Sequence, residues 1–206
     1  MERIRSHVKK FTWLIPTLVF LIALFFIQNY CLVQKNMNAD LYSVSVGPFL
    51  EEAFKGGVVS LFLFIIFPMN PKFKEKLAQK RCWLIAGMLF GLFIGLWETF
   101  VDYSPGIHRL VPTLNHTFWT AIVAGGIWLF THASKHKFEG LVISYVGASI
   151  LHALWNYHAF IEKTTGSEFT LGAISFLLTV IALFLVWKFD KVLTCPHQVP
   201  KHVGTN

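Results

Sequence analysis

The chain has 206 residues, of which 54% are hydrophobic and 14% charged, and its mean hydropathy is +0.55. This balance excludes an ordinary soluble domain and indicates an integral membrane protein. The formal net charge is +7, but the apolar composition leaves no surface for a basic groove, so we expect no nucleic-acid partner. Cys31, Cys82 and Cys195 have no metal-type spacing and form no close pair, which supports neither a zinc knuckle nor a disulfide framework.

Six apolar stretches are each long enough to cross a bilayer, which takes about 20 residues in an α-helix. These predicted spans cover residues 11–33, 44–67, 82–101, 110–131, 138–160 and 169–189. The first span is too long for the apolar region of a signal peptide and is followed by no A-x-A-like cleavage site, so we expect it to be retained. The predicted fold is an all-α, polytopic bundle of about six transmembrane helices, one membrane domain over 1–193 followed by a tail over 194–206.

Basic residues are concentrated in every second connection between these spans, and so on one side of the predicted membrane domain. The N-terminus, the 70–81 loop, the 132–137 turn and the C-terminal end carry four, five, two and three Lys or Arg, which makes fourteen. The connections on the other side carry three, and one lysine lies inside a span. The positive-inside rule therefore predicts that both termini are cytoplasmic.

Ionisable groups within a span are functional candidates, because a charge at the middle of a membrane helix costs at least ~2.5–3.5 kcal/mol on insertion scales. The polar residues of the predicted spans are Glu51, Glu52 and Lys55 in span two, Glu98 in span three, Asn115 and His116 in span four, and His152 and Asn156 in span five. At ~1.5 Å per residue, the acidic pair and both histidines lie about 9–12 Å from the outer surface, with Glu98 and Asn156 about 6 Å from it. All share the outer half of the membrane, which predicts one site formed by spans two to five.

Helical spacing adds detail to this site. His152 and Asn156 are four residues apart and share one helical face. Lys55 follows Glu51 by four residues and Glu52 by three, so it can keep one carboxylate ionised while the other acts as a base. Glycines recur every fourth residue in span three, at 87, 91 and 95, and predict a close helix–helix contact.

Two imidazoles and a carboxylate form a familiar open metal site, and a further glutamate can act as general base on a water molecule. The predicted metal ligands are His116, His152 and Glu98. The predicted catalytic residues are Glu51 or Glu52 as base and Asn156, whose amide would donate to the oxyanion or orient His152. Because Glu98 is shallow, a solvated helix end is an alternative for it. This chemistry suits amide hydrolysis, although the zinc-protease motif H-E-x-x-H is absent.

Three other interpretations compete with hydrolysis. A structural one is an intramembrane ion pair with Lys55 that sets the helix register. A second is a non-catalytic scaffold or immunity-type protein whose polar layer binds a partner helix. A third is an ion or proton pathway, which is disfavoured because the cytoplasmic halves of the spans offer few polar residues.

Span two resembles the P-x-x-E-E-x-x-K-G signature of the PrsW family of intramembrane proteases, in the run Pro48-Phe49-Leu50-Glu51-Glu52-Ala53-Phe54-Lys55-Gly56. This family is grouped with the CAAX-prenyl-protease and bacteriocin-processing (CPBP) membrane proteins and with the anterior-pharynx subunit of gamma-secretase. Glu98, His116 and the H-x-x-x-N pair of His152 and Asn156 follow in the family's order. The resemblance covers spans two to five, and it departs at Ile94, where the family's phenylalanine is expected.

The resemblance implies an intramembrane endopeptidase of the prokaryotic cell membrane, surrounded by lipid. Its implied substrate is a membrane-tethered protein, such as an anti-sigma factor or another single-span protein, cut near the extracytoplasmic face. The implied cofactor is a divalent metal ion, zinc first, with a metal-free, glutamate-activated water as the alternative.

Overall fold

The computed structural model describes residues 39–65, 78–101, 110–132, 136–165 and 169–188. The elements in these ranges are all helices: α1 Ala39–Val44, α2 Val46–Ile65, α3 Lys80–Val101, α4 Leu110–His132, α5 Lys137–Thr165 and α6 Phe169–Lys188. The all-α prediction is confirmed for this part of the chain, and α2 to α6 lie where spans two to six are predicted. Helix α5 continues to Thr165, beyond the predicted end at 160. The predicted span 11–33 and the tail 194–206 lie outside the described residues.

Two described segments are long and apolar enough to cross a membrane, Lys80–Phe100 in α3 and Lys137–Ile161 in α5. A shorter apolar segment, Gly172–Lys188, lies in α6. Helix α4 is instead the most enclosed helix, since most of its residues from Thr113 to Leu129 are buried. The number of spans and the side of the termini stay predictions.

A break between α1 and α2 sets the start of the helix that carries the acidic pair. Ser45 forms the turn, with its backbone N–H donating to the Tyr42 carbonyl at 3.3 Å. Pro48 then lies in the first turn of α2, where its missing N–H costs no helical hydrogen bond. Helix α2 therefore begins shortly before Glu51 and holds Glu51, Glu52 and Lys55 in regular helix.

Helix α4 contacts α2, α3, α5 and α6 and forms the centre of the described bundle. The glycines of α3 that face it are Gly87, Gly91 and Gly95. A Cβ added to Gly91 would lie 2.8 Å from the Thr117 Cα, so the two backbones touch there. The predicted close contact of this glycine stripe is confirmed. Because α3 carries Glu98 and α4 carries His116, the contact also brings those two side chains together.

Apolar side chains fill the part of the bundle that surrounds the C-terminal half of α2. One cluster joins α2, α3 and α4 through Val59, Leu63, Trp83, Ala124, Trp128 and Leu129. A second joins α4 and α5 through Trp119, Ile122, Val123, Ala148 and Leu151. The polar residues of α2 thus lie at one end of an apolar core.

One face of α5 fixes this helix against α1 and α2. The Tyr145 hydroxyl donates to the Phe49 carbonyl at 2.8 Å, and the Asn156 amide donates to the Ser43 carbonyl at 2.8 Å. His152 lies between these two contacts on the same face, at helical spacing. The two hydrogen bonds therefore hold His152 against the segment that carries Glu52.

Candidate metal centre

The polar residues predicted from four separate spans meet at one site, with Lys55 at its centre. The Lys55 Nζ lies 2.5 Å from Glu51 Oε1 and 3.0 Å from Glu52 Oε1. It also lies 2.7 Å from Nδ1 of His116 on α4. The Lys55 side chain is 1% exposed and that of Glu52 0% exposed, so these three acceptors replace water around the ammonium group.

The contact with Lys55 determines the tautomer of His116. An ammonium group has only donors, so Nδ1 of His116 must accept, and the neutral ring carries its proton on Nε2. Nε2 lies 2.9 Å from Glu98 Oε2, to which it donates. Glu98 therefore orients the imidazole, and the lone pair on Nδ1 faces α2, where Glu51 Oε1 lies at 3.4 Å.

His152 has the same arrangement with the other glutamate. Its Nδ1 lies 3.0 Å from Glu52 Oε1, and because a carboxylate only accepts, Nδ1 is the donor. In the neutral ring the lone pair then lies on Nε2, which is 3.7 Å from Glu51 Oε2. Each histidine thus has one nitrogen bound to a carboxylate and the other directed toward Glu51.

Glu51, His116 and His152 form a group that could hold a metal ion, with one ligand atom from each within 4.8 Å of the others. Glu98, predicted from the sequence as a ligand, lies on the opposite nitrogen of His116 and outside this group. A metal-bound histidine commonly donates its second N–H to a carboxylate, which fixes the ring and raises its basicity. Glu98 and Glu52 occupy that outer position for His116 and His152.

Trp119 connects the two histidines to α6. Its ring stacks on His152 with centroids 4.3 Å apart and meets His116 edge-on at 5.3 Å. The indole N–H donates to Thr179 Oγ1 on α6 at 3.0 Å. Sequence reasoning missed Trp119, although its position one helical turn after His116 was a usable signal.

The two asparagines of the predicted spans, Asn115 and Asn156, differ in their hydrogen bonding. The Asn156 amide nitrogen is bonded to Ser43, so its role toward the oxyanion or His152 stays a prediction. Asn115 is 0% exposed, and both polar atoms of its side chain lack a hydrogen-bond partner among the described residues. A buried amide without partners is costly, and sequence reasoning did not select it as a site residue.

The site opens to one side. Glu51 is 35% exposed and Glu98 31% exposed, whereas Glu52, Lys55, His116 and His152 are buried. These two carboxylates lie on α2 and α3, so the accessible side of the site is bordered by those helices. Large apolar side chains, Phe54 on α2 and Trp97 on α3, are exposed next to them in sequence.

Comparison with known families agrees with the geometry. A family model described as PrsW family intramembrane metalloprotease matches residues 2–187. No curated protein and no solved structure matches the chain. The family match covers most of the 206 residues and all of the site described above. The chain therefore belongs to the PrsW family of intramembrane metalloproteases.

Proposed function

We propose that this protein is an intramembrane endopeptidase that hydrolyses a peptide bond of a membrane-tethered protein, with a divalent metal ion held by Glu51, His116 and His152. One observation carries the proposal: a carboxylate and two imidazoles place ligand atoms within 4.8 Å of one another. Each imidazole also has its second nitrogen on a separate carboxylate. Such carboxylate–histidine pairs are the usual outer support of a catalytic zinc site.

Charge supports a divalent ion at this site. Among the described residues, the site holds three carboxylates, of Glu51, Glu52 and Glu98, and one ammonium, of Lys55. With both imidazole rings counted as neutral, negative charge exceeds positive charge by two. A buried site with this excess favours a dication. When bound, such an ion supplies a Lewis acid that polarises the scissile carbonyl.

Glu52 is the residue best placed to handle the proton. Its Oε1 accepts from Lys55 and His152, and its buried Oε2 has no partner among the described residues. In the proposed step, Oε2 takes a proton from a water molecule whose oxygen attacks the carbonyl carbon. The proton then passes to the leaving nitrogen as the C–N bond breaks, which gives a carboxylate and an amine. Glu51 is assigned to the metal, and Asn156 keeps its predicted supporting role.

The predicted depth of the site supports cleavage near the extracytoplasmic face, with both termini of the protease cytoplasmic. The partly exposed side between Glu51 and Glu98 supports entry of the substrate past α2 and α3. The proposed substrate is a single-span protein of the same prokaryotic membrane, of which an anti-sigma factor is one example.

The proposal is tested by comparing new protein N-termini in membranes of cells that express the wild-type chain or Glu52→Gln. We expect peptides cut near the outer face of single-span proteins in the wild type, and a loss of about 10²–10⁴-fold for the variant, as for removal of a general base. Glu139→Gln is the matched control, because Glu139 is exposed at the start of α5, away from the site. Equal cleavage by wild type and Glu52→Gln would refute the assignment.

A scaffold function would give a different result. Neither chain would then produce new N-termini, and Glu52→Gln would instead lose a co-purifying membrane partner.

A further inference from the structure

We propose that the Lys55 ammonium occupies the cation position of this site and must leave His116 Nδ1 when a divalent metal ion binds. Lys55 is then a positioning residue that competes with the metal for His116 and Glu51. This inference rests on the metal-dependent function proposed above.

The competition follows from the lone pair on His116. An imidazole nitrogen has a single lone pair, and at Nδ1 that pair accepts from Lys55 at 2.7 Å. The other nitrogen, Nε2, donates to Glu98 at 2.9 Å and has no lone pair to offer in this tautomer. His116 therefore cannot bind a metal ion through Nδ1 while it accepts from Lys55.

The same conflict occurs at Glu51. Its Oε1 is 2.5 Å from the Lys55 Nζ and 3.4 Å from His116 Nδ1, so the ammonium group lies close to the donor atoms that would surround the ion. His152 Nε2, by contrast, lies 3.7 Å from Glu51 Oε2. Lys55 would therefore compete with a metal ion at His116 and at Glu51.

Lys55 has a position to which it can withdraw. Its Nζ lies 3.0 Å from Glu52 Oε1, an oxygen outside the proposed ligand group. Because both residues belong to α2 and are three apart, a change of side-chain rotamer can keep this pair while the contact with His116 breaks. The ammonium would stay paired within the buried site, and the combined charge of Lys55, a dication and three carboxylates would be zero.

The inference predicts the effect of removing the ammonium. Lys55→Met removes the ammonium group that competes with the metal ion. It also leaves the three carboxylates of the site without a cation, and both changes should strengthen the binding of a divalent ion. The Lys55 ammonium lies within a few ångströms of the proposed ligand atoms. Its removal should therefore raise the affinity for a divalent ion by more than about tenfold, even with strong dielectric screening. A purely structural role for Lys55 predicts the opposite, because loss of the buried partner would loosen the ligands and weaken binding.

The experiment measures Zn²⁺ affinity of the purified full-length chain in detergent, by competition with a chromogenic chelator. The variants are Lys55→Met and Lys55→Gln, the latter keeping a hydrogen-bond donor in case the first fails to fold. Lys137→Met is the matched control, since Lys137 is exposed at the start of α5. Co²⁺ absorption spectra show whether wild type and variants use the same ligand set.

We expect the folded Lys55 variants to bind Zn²⁺ at least about tenfold more tightly than wild type and the Lys137→Met control, with the same Co²⁺ spectrum. Binding by the variants alone, with none by wild type, also supports competition. Equal or weaker binding by the variants, beside measurable binding by wild type, overturns this inference and leaves the proposed metal site intact. No binding by any of the chains overturns both.

Discussion

The contact between α3 and α4 at Gly91 gives a stringent test of how the site is positioned. A Cβ added by Gly91→Ala would lie 2.8 Å from the carbonyl carbon of His116 and from the Cα of Thr117. Carbon atoms that are not bonded normally approach to about 3.5–4.0 Å, so the two helices must separate by about 1 Å. The atoms in the way belong to backbone, which cannot rotate aside as a side chain could.

Two consequences follow from this separation. Overpacking of this kind costs about 1–3 kcal/mol, from which the better helix propensity of alanine recovers about 0.5–1 kcal/mol. The separation also moves Glu98 away from His116 Nε2, which it contacts at 2.9 Å. Glu98 orients His116, and a misplacement of about 1 Å within an active site can lower activity by about 10²-fold, so cleavage should fall that far while the chain still folds.

Gly147→Ala is the matched control, because a Cβ added to Gly147 on α5 meets nothing within 4 Å. Gly147→Ala should be stabilised by the better helix propensity of alanine and should keep full activity. The difference of about 2 kcal/mol between the variants corresponds to about 4–8 °C in the midpoint of thermal unfolding in detergent. If Gly91→Ala matches Gly147→Ala in midpoint and in Zn²⁺ affinity, the tight backbone contact does not position the site.

Two further predictions concern buried polar groups near the histidines. Asn115→Leu removes a buried amide that has no partner among the described residues. The free energy of unfolding should rise by about 1–3 kcal/mol, and a less stable variant would show that the amide is satisfied. Trp119→Phe and Thr179→Val each break the 3.0 Å hydrogen bond between α4 and α6, and a double-mutant cycle on thermal unfolding should give a coupling of about 1 kcal/mol. A coupling near zero would mean that the bond adds nothing to stability.

The sequence was sufficient to predict which residues meet. Positions along each helix placed Glu51, Glu52, His116 and His152 at a common depth, and helix geometry alone turns position into depth. In the structure these side chains form one group of hydrogen bonds and ion pairs around Lys55, joined by Glu98. These residues meet because an ionisable side chain inside a membrane span is costly unless it has a partner.

Which of these side chains contacts which other could not be predicted from depth. Depth does not specify rotation about a helix axis, so it could not show that Glu98 lies on His116 Nε2 or that Glu51 lies within the group of potential ligands. The role of Glu98 as a metal ligand stays a prediction. Lys55 was expected to pair with the acidic residues, but its third contact, with His116, depends on how α2 packs against α4. Trp119 was missed because an apolar ring in an apolar helix is ordinary core; only its spacing of three residues from His116 pointed to a contact with the site.

The position of Lys55 also bears on how this protein is made. Lys55 lies on the same helix as Glu51 and Glu52, one turn further along, so in the predicted six-span topology α2 enters the bilayer with a counter-ion of its own. Glu98 has no such companion on α3, and its partner His116 arrives only with the next helix to be synthesised. Insertion of α2 can therefore precede that of its neighbours, whereas α3 and α4 are best released from the translocation machinery as a pair.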